Sequence, residues 1–317
     1  MANRIKISSL GQSPPLFSCE ENSRSNTDLI ARMIDFWKDQ IDMALADQPD
    51  IIVLPETCDD YFRMPAEART AYREARGDSV LHEFQKIARD NSCYIIYPSV
   101  RPAFGDAQHN AILVIDRAGD VIGQYNKTHP TLAEIDEGVM PGNGPLILQC
   151  DFGALGFAIC FDLNFDELRL RYQANPPDLM VFCSMFHGDL LQASWAHGCR
   201  AHFVSSVWHH TPNEIYSPLG QRVACSTGSP LSFSGVTATV NLDCAVVHLD
   251  YHRGKLIALK KKYGSGVSVY YADKLDCALI TSEQDAVSAA DMLREFDIEL
   301  LDSYLGRALE RHHELAG

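Results

Sequence analysis

The stretch "GFAICFDLNFDEL", residues 156–168, decides how this chain is read. Its first half is an unbroken apolar run that ends in Cys160. Its second half turns polar and, from Asp166, takes up helical spacing. A short apolar run closed in this way fits a strand buried on both faces, the kind found in parallel sheets covered by helices. Such a strand carries Cys160 to its carboxyl end, where α/β sheets bind ligands. Taken alone, a strand-end cysteine is more often a small buried apolar group than a reactive one. A general base beside it would make it a nucleophile.

Working outward, the same alternation runs through most of the chain. Strands are expected at 4–10, 50–56, 93–100, 177–185, 203–210 and 236–243, with a hairpin over 109–127 around an Ala-Gly-Asp turn. Helices are expected at 27–47, with Ile30, Ile34, Ile41 and Leu45 on one face, and at 79–91, 166–174 and 190–202. No linker or composition break divides residues 1–280, which therefore read as one α/β domain. Beyond it, Leu293, Phe296, Leu300, Tyr304 and Ala308 recur at helical spacing. They predict one long amphipathic helix in a C-terminal extension, 281–317, packed on its own domain or on a second subunit.

Composition removes several classes of function. The formal net charge is −15, so a nucleic-acid groove, which needs a basic field, is not expected. The N-terminus lacks a signal-peptide core and no run reaches membrane-span length, which predicts no membrane partner. Ten scattered cysteines without a C-x-x-C pair point to a reducing, cytoplasmic setting. The histidine pairs His209–His210 and His312–His313 are adjacent rather than spaced i, i+4. No metal site and no cofactor are expected.

Two further stretches place a reactive side chain just past a strand. "IIVLPETCDDYF" (51–62) sets Glu56 after a buried strand, where apolar walls would raise its pKa and suit it to general-base work. "YNKTH" (125–129) ends the hairpin on Lys127, whose ammonium in a cleft would stabilise an oxyanion. Each is a common surface or packing feature by itself. Their order, and separations of 71 residues from Glu56 to Lys127 and 33 to Cys160, make them a set.

"LPE", "YNKTH" and "ICFDLNFDEL" together resemble the Glu, Lys and Cys motifs of the nitrilase superfamily, the carbon–nitrogen hydrolases, over roughly residues 4–275. The resemblance implies an α-β-β-α sandwich that dimerises into a thicker α-β-β-α-α-β-β-α arrangement. It implies Glu56 as general base, Lys127 as oxyanion stabiliser and Cys160 as nucleophile passing through a thioester. It also implies a second glutamate a few residues before Pro-Gly, for which Glu137 fits and Glu134 is the reserve.

Around the cysteine, the resemblance favours an amidase over a true nitrilase, because Phe161-Asp162 stands where nitrilases carry Trp-Glu. Leu163 and Asn164 replace the arginine with which carbamoyl amino acid hydrolases hold a carboxylate. A carboxylate-bearing substrate is therefore not expected. The leading expectation is hydrolysis of a small linear amide with release of ammonia or an amine. The alternatives are an N-carbamoyl substrate, a nitrile, or a catalytically silent member. Tyr61, Phe161 and His187 are the expected pocket residues, and the backbone N–H of Phe161 the second oxyanion donor. A homodimer or larger homo-oligomer is expected.

Overall fold

A computed structural model describes residues 2–105, 107–208, 211–226 and 235–316. The pair His209–His210 lies outside the described residues. The chain forms two compact units, Ile5–Thr239 and Val240–Gly317 with Met1–Arg4.

In the larger unit, β1 (Arg4–Leu10) leads to α1 (Asn26–Leu45), β2 (Ile51–Val53), α2 (Ala66–Arg76), α3 (Ser79–Asn91) and β3 (Tyr94–Pro102). The hairpin β4 (Gln108–Ile115) and β5 (Val121–Asn126) follows, then the short α4 (Leu132–Asp136). The second half holds β6 (Ile147–Cys150), β7 (Gly153–Ile159), α5 (Asp166–Ala174), β8 (Leu179–Ser184), α6 (Leu190–Cys199) and β9 (His202–Val207). Strands β10 (Glu214–Tyr216), β11 (Arg222–Cys225) and β12 (Gly235–Asn241) complete it.

These strands make two six-stranded sheets, ordered β12-β1-β2-β3-β4-β5 and β11-β10-β9-β8-β7-β6. Strands β1, β2 and β3 are parallel, as are β7, β8 and β9. Two antiparallel steps bring β5 back to the direction of β3. Hence β2, β5 and the parallel neighbours of β2 all end on one side.

The sheets face each other. Ser9 Oγ donates to the Ser205 carbonyl at 2.6 Å and Ser206 Oγ to that of Leu10 at 2.6 Å. Tyr125 stacks on Phe157 across the gap. On the outside of the first sheet, α1 and α3 bury Leu29, Met33, Trp37, Ile41, Phe84 and Ala88 in one core. On the outside of the second, α5 and α6 bury Leu168, Tyr172, Trp195 and Ala196. The result is the α-β-β-α sandwich expected from the sequence.

The expected helix stripe keeps Ile41 and is otherwise displaced by a residue. The buried row in α1 is Leu29-Met33-Trp37-Ile41, while Ile30, Ile34 and Leu45 are half-buried beside it. Trp37 sets the register, since its indole N–H donates to the Cys58 carbonyl at 2.6 Å in the core. Helix α2 has no apolar stripe in the sequence to announce it: its composition is polar, and only Tyr72 and Arg76 are buried.

The smaller unit adds β13 (Cys244–His248), α7 (Arg253–Tyr263), β14 (Val267–Ala272), β15 (Cys277–Ser282), α8 (Ala289–Glu295) and α9 (Leu301–Ala316). Its sheet is β13-β15-β14. Residue 281, where the extension was expected to begin, falls within β15. Val247, Leu256, Ile280, Met292 and Leu293 share one core.

The long terminal helix is corrected to two helices. The amide of Ile298 bonds to the Leu293 carbonyl at 2.9 Å and that of Asp297 to Arg294 at 3.2 Å, with Asp297 at φ +51°. That is a left-handed helix stop, and buried Ile298 in the same core as Leu293 seals it. Helical periodicity continues through the break, which is why the pattern alone reads as one helix.

Candidate active site

Cys160 follows directly on β7 and opens a single 3₁₀ turn, Cys160–Asn164, with its own φ at +48°. A left-handed backbone at a residue with a side chain costs on the order of 1–2 kcal/mol, so its surroundings must hold it there. Asp162 does so. Fully buried, its carboxylate accepts from the Ile159 amide at 3.0 Å and the Tyr125 hydroxyl at 2.8 Å through one oxygen. The other accepts from the His129 amide at 2.7 Å. Tyr125 and His129 flank Lys127, so one carboxylate fastens the cysteine turn to the lysine strand.

Lys127, just past β5, is almost fully buried (1 % exposed). A buried ammonium needs partners. Its Nζ lies 2.9 Å from Glu56 Oε1 and 2.7 Å from Glu134 Oε2. Burial pulls its pKa down, and Glu56 foremost, with Cys160 and Glu134 beside it, more than offsets this, leaving it raised. Glu134 moves the opposite way: burial raises its pKa, but Lys127, Asn110 and the Thr131 amide hold it below its ordinary value.

Glu56 is fixed from four sides. It accepts from Lys127, from Asn110 Nδ2 at 2.8 Å and from the Met185 amide at 3.0 Å, while the Trp208 indole donates to its backbone carbonyl at 2.7 Å. The residue after it, Thr57, is also left-handed, at φ +45°. Glu56, Lys127, Glu134 and Cys160 line one cavity of about 330 Å³, small for a ligand site.

Burial, followed by the Glu56 carboxylate, pushes the Cys160 thiol up to about 12. Lys127, the Ser184 hydroxyl and the Met185 backbone pull against this without reversing it. At neutral pH the sulfur therefore carries its proton, and a carboxylate is at hand to take it. A thiol, a base and a fixed ammonium around one small space can add sulfur to a polarised carbon and stabilise the charge that results.

The second glutamate is corrected. Glu134, not Glu137, meets Lys127; Glu137 is exposed, its carboxylate 2.7 Å from Arg69. As the residue ending α4, Glu137 lines the same cavity, but its carboxylate goes to Arg69 instead of Lys127. The signal for Glu134 was a capping box: Thr131 and Glu134 bond reciprocally at the start of α4, the T-x-x-E pattern.

Among the expected pocket residues, Tyr61 lines the cavity, its hydroxyl donating to the Leu29 carbonyl at 2.8 Å. Phe161 and His187 are not among the lining residues. Phe161 packs edge-on against Phe165, and His187 Nε2 sits 3.2 Å from Glu214. Asn110 bridges Glu56 and Glu134 at 2.8 Å each; it sits in the polar opening, Gln108-His109-Asn110, of an otherwise apolar strand, where no local pattern marks it as part of a site. Leu163 is buried in the core and Asn164 bonds to the Phe161 carbonyl, so neither faces a substrate carboxylate. Three guanidiniums, Arg63, Arg69 and Arg73, nevertheless line the cavity from elsewhere in the chain.

With this geometry in place, the chain belongs to the carbon–nitrogen hydrolase family, whose model matches residues 12–210. It is similar to the deaminated glutathione amidase of Mus musculus, 26% identical over 219 residues that span 58% of this chain and 66% of that protein. It is also similar to the chloroplastic omega-amidase of Arabidopsis thaliana, 26% identical over 187 residues covering 52% of this chain and 50% of that protein. The chain thus spans between half and about two thirds of the length of these relatives.

Among solved structures, a cysteine-to-alanine mutant of the Nesterenkonia AN1 amidase from the nitrilase superfamily superposes with a TM-score of 0.64 at 14% identity. It covers 82% of this chain and 97% of that one. The C. elegans NitFhit protein gives 0.65 at 20% identity, over 76% and 62% of the two chains. The sandwich is therefore the nitrilase fold.

Proposed function

We propose that this protein hydrolyses the carbon–nitrogen bond of a small linear amide through a thioester on Cys160. The observation that carries the reading is the convergence of Cys160, Glu56 and Lys127 on one cavity, with Lys127 bonded to Glu56. The amidases among its relatives support the choice of amide.

Glu56 takes the thiol proton as the sulfur attacks the amide carbon. The carbonyl oxygen gains the negative charge, facing Lys127 and the backbone N–H of Phe161. Collapse breaks the carbon–nitrogen bond, and Glu56 passes its proton to the departing nitrogen. Glu56 then accepts a proton from water, whose oxygen attacks the thioester. The acid leaves and the thiol is restored. Glu134 acts through Lys127, holding its ammonium in place.

Ammonia release measured across aliphatic amides, carbamoyl amines and nitriles tests this. Amides should be turned over well ahead of the other two classes. A preference for nitriles, or no release from any amide, would end the reading.

Two broader properties fit the same picture. Helix α9 buries only Leu301 and leaves Leu305, Leu309 and Leu315 exposed, which supports a role for the C-terminal extension in self-association. A monomer mass in sedimentation equilibrium would remove that role. No helix among the described residues is long and apolar enough to cross a membrane, and the ten cysteines are free thiols. Both fit a cytoplasmic location, which fractionation would check.

A further inference from the structure

The three-stranded sheet of the smaller unit has one closed edge and one open edge. At the first, Val247 of β13 is bridged by Leu300. At the second, no strand among the described residues pairs with the outer side of β14. Which groups face outward follows from the register. The Glu283 amide donates to the Gly266 carbonyl at 3.0 Å, and the Ser282 amide turns the other way, to Asp243 at 3.0 Å. Val267 and Ser282 are therefore a non-hydrogen-bonded pair, and bonding alternates from there. Ser268, Tyr270 and Ala272 bond to β15. The N–H and C=O groups of Val267, Val269 and Tyr271 point away from it.

Such an edge is normally blunted by a lysine, a proline or a bulge. Strand β14 reads Val-Ser-Val-Tyr-Tyr-Ala and pairs with β15 without a register shift, so it carries none of these. Lys260 on α7 blocks one position, its Nζ donating to the Val267 carbonyl. Tyr270 and Tyr271 are exposed beside the outward groups of Val269 and Tyr271. A straight, uncharged edge flanked by aromatic rings is a template for another strand.

We propose that β14 pairs antiparallel with β14 of a second copy of this chain, about a two-fold axis at Tyr270. The geometry leaves one closed register. Pairing centred on Val269 would need the Val267 carbonyl, which Lys260 holds. Pairing centred on Tyr271 would set Val269 against residue 273, where the chain has left the strand for a 3₁₀ turn, Asp273–Leu275. Centred on Tyr270, Val269 and Tyr271 each exchange two bonds with Tyr271 and Val269 of the second copy. The two Tyr270 rings then stand side by side as a non-hydrogen-bonded pair. This register also sets Asp273 of the second copy opposite Val267, beside Lys260. The Asp273 carboxylate is exposed, and its partner within the chain is Arg253 at 3.0 Å. Copies of net charge −15 repel each other, and a Lys260–Asp273 attraction at each end of the paired strands offsets this. One sheet then runs through both copies and both open edges are closed at once. The inference is independent of the amide-hydrolase reading and uses a surface other than α9.

Sedimentation equilibrium of the full chain tests it. The native chain should reach a dimer mass at high micromolar concentration. Tyr271→Pro removes an outward amide without touching a bond to β15, so each copy loses one donor across the axis. The dissociation constant should rise about 10- to 100-fold. Tyr270→Lys sets like charges directly opposite each other and should also weaken the dimer. Melting curves check that both variants fold; if the proline variant does not, the lysine variant decides. Tyr270→Cys, oxidised with diamide, should give a disulfide joining residue 270 of two copies, since non-hydrogen-bonded partners lie within disulfide reach. Peptide mapping separates that bridge from any made by the native cysteines. Association that survives both substitutions, with no bridge at residue 270, would place the contact elsewhere, α9 included, and overturns the inference. A native chain that stays monomeric overturns it as well and leaves the edge to a foreign strand.

Discussion

Cys160→Ala should cut ammonia release from any amide the native chain hydrolyses by a factor on the order of 10⁶, as removal of a covalent nucleophile does. The remaining groups cannot substitute. Ser184 and Met185 only touch the sulfur, and Glu56, still held by Lys127, Asn110 and the Met185 amide, has no thiol to deprotonate. Stability should barely change. The thiol is neutral at working pH, so no charge is lost, and alanine keeps the Cβ that makes φ +48° costly. A shift in melting temperature within about 2–4 °C is expected, corresponding to roughly 1 kcal/mol in a unit of this size. Mass spectrometry under turnover should find an acyl adduct on the native chain and none on the variant. Retention of even about 1% of the native rate would contradict a covalent role and with it the mechanism.

How much of this could be read from the sequence depended on whether the deciding interaction was local. Helices 79–91 and 166–174 are where periodicity put them, and the strand before Cys160 ends where the apolar run ends. Glu56, Lys127 and Cys160 were legible because each follows closely on a strand, and the hairpin and the facing of the two sheets bring those ends to one cavity. What escaped depends on partners far along the chain. Asp162 looked like a marker of substrate type; it is buried and ties β7 to the segment after β5, a job visible only once Tyr125 and His129 are beside it. The guanidiniums of Arg63, Arg69 and Arg73 reach the cavity from a loop and helix far before Cys160 in the chain, where no local pattern marks them. The break between α8 and α9 was hidden because an aspartate, not a glycine, takes the left-handed position.

Lys127→Met should damage both activity and stability, and the pH dependence distinguishes the two losses. Activity should fall at least about 10²- to 10³-fold, the cost of removing one oxyanion donor. Stability should fall by roughly 3–5 kcal/mol near pH 7.5, because one ammonium serves two carboxylates, buried Glu56 and half-buried Glu134, and its removal leaves both uncompensated. That is a drop of about 10 °C in melting temperature.

The sign of the pH effect follows from the groups themselves. In the native chain Glu134 is held below its ordinary value, so its contribution is complete above the ordinary glutamate pKa. It is lost as pH falls through the lowered one. Lys127 is raised, so its contribution is complete below the ordinary lysine pKa and is lost only in strong alkali. Between about pH 5 and 9 the native pair should be flat. In Lys127→Met, burial, the largest single influence on Glu134, is opposed only by the hydrogen bonds from Asn110 and the Thr131 amide, and the expected result is a pKa pushed up. The folded state then binds the proton more tightly than the unfolded state, so the variant is most stable in acid and loses stability as pH rises from 5 to 8. Adding Glu134→Gln to Lys127→Met removes one stranded charge. It should restore part of the melting temperature at pH 7.5 without restoring turnover. A single variant that melts like the native chain at pH 7.5 would mean that Lys127 does not neutralise the floor of the cavity. A double variant that regains turnover would mean that its ammonium is not needed for the oxyanion.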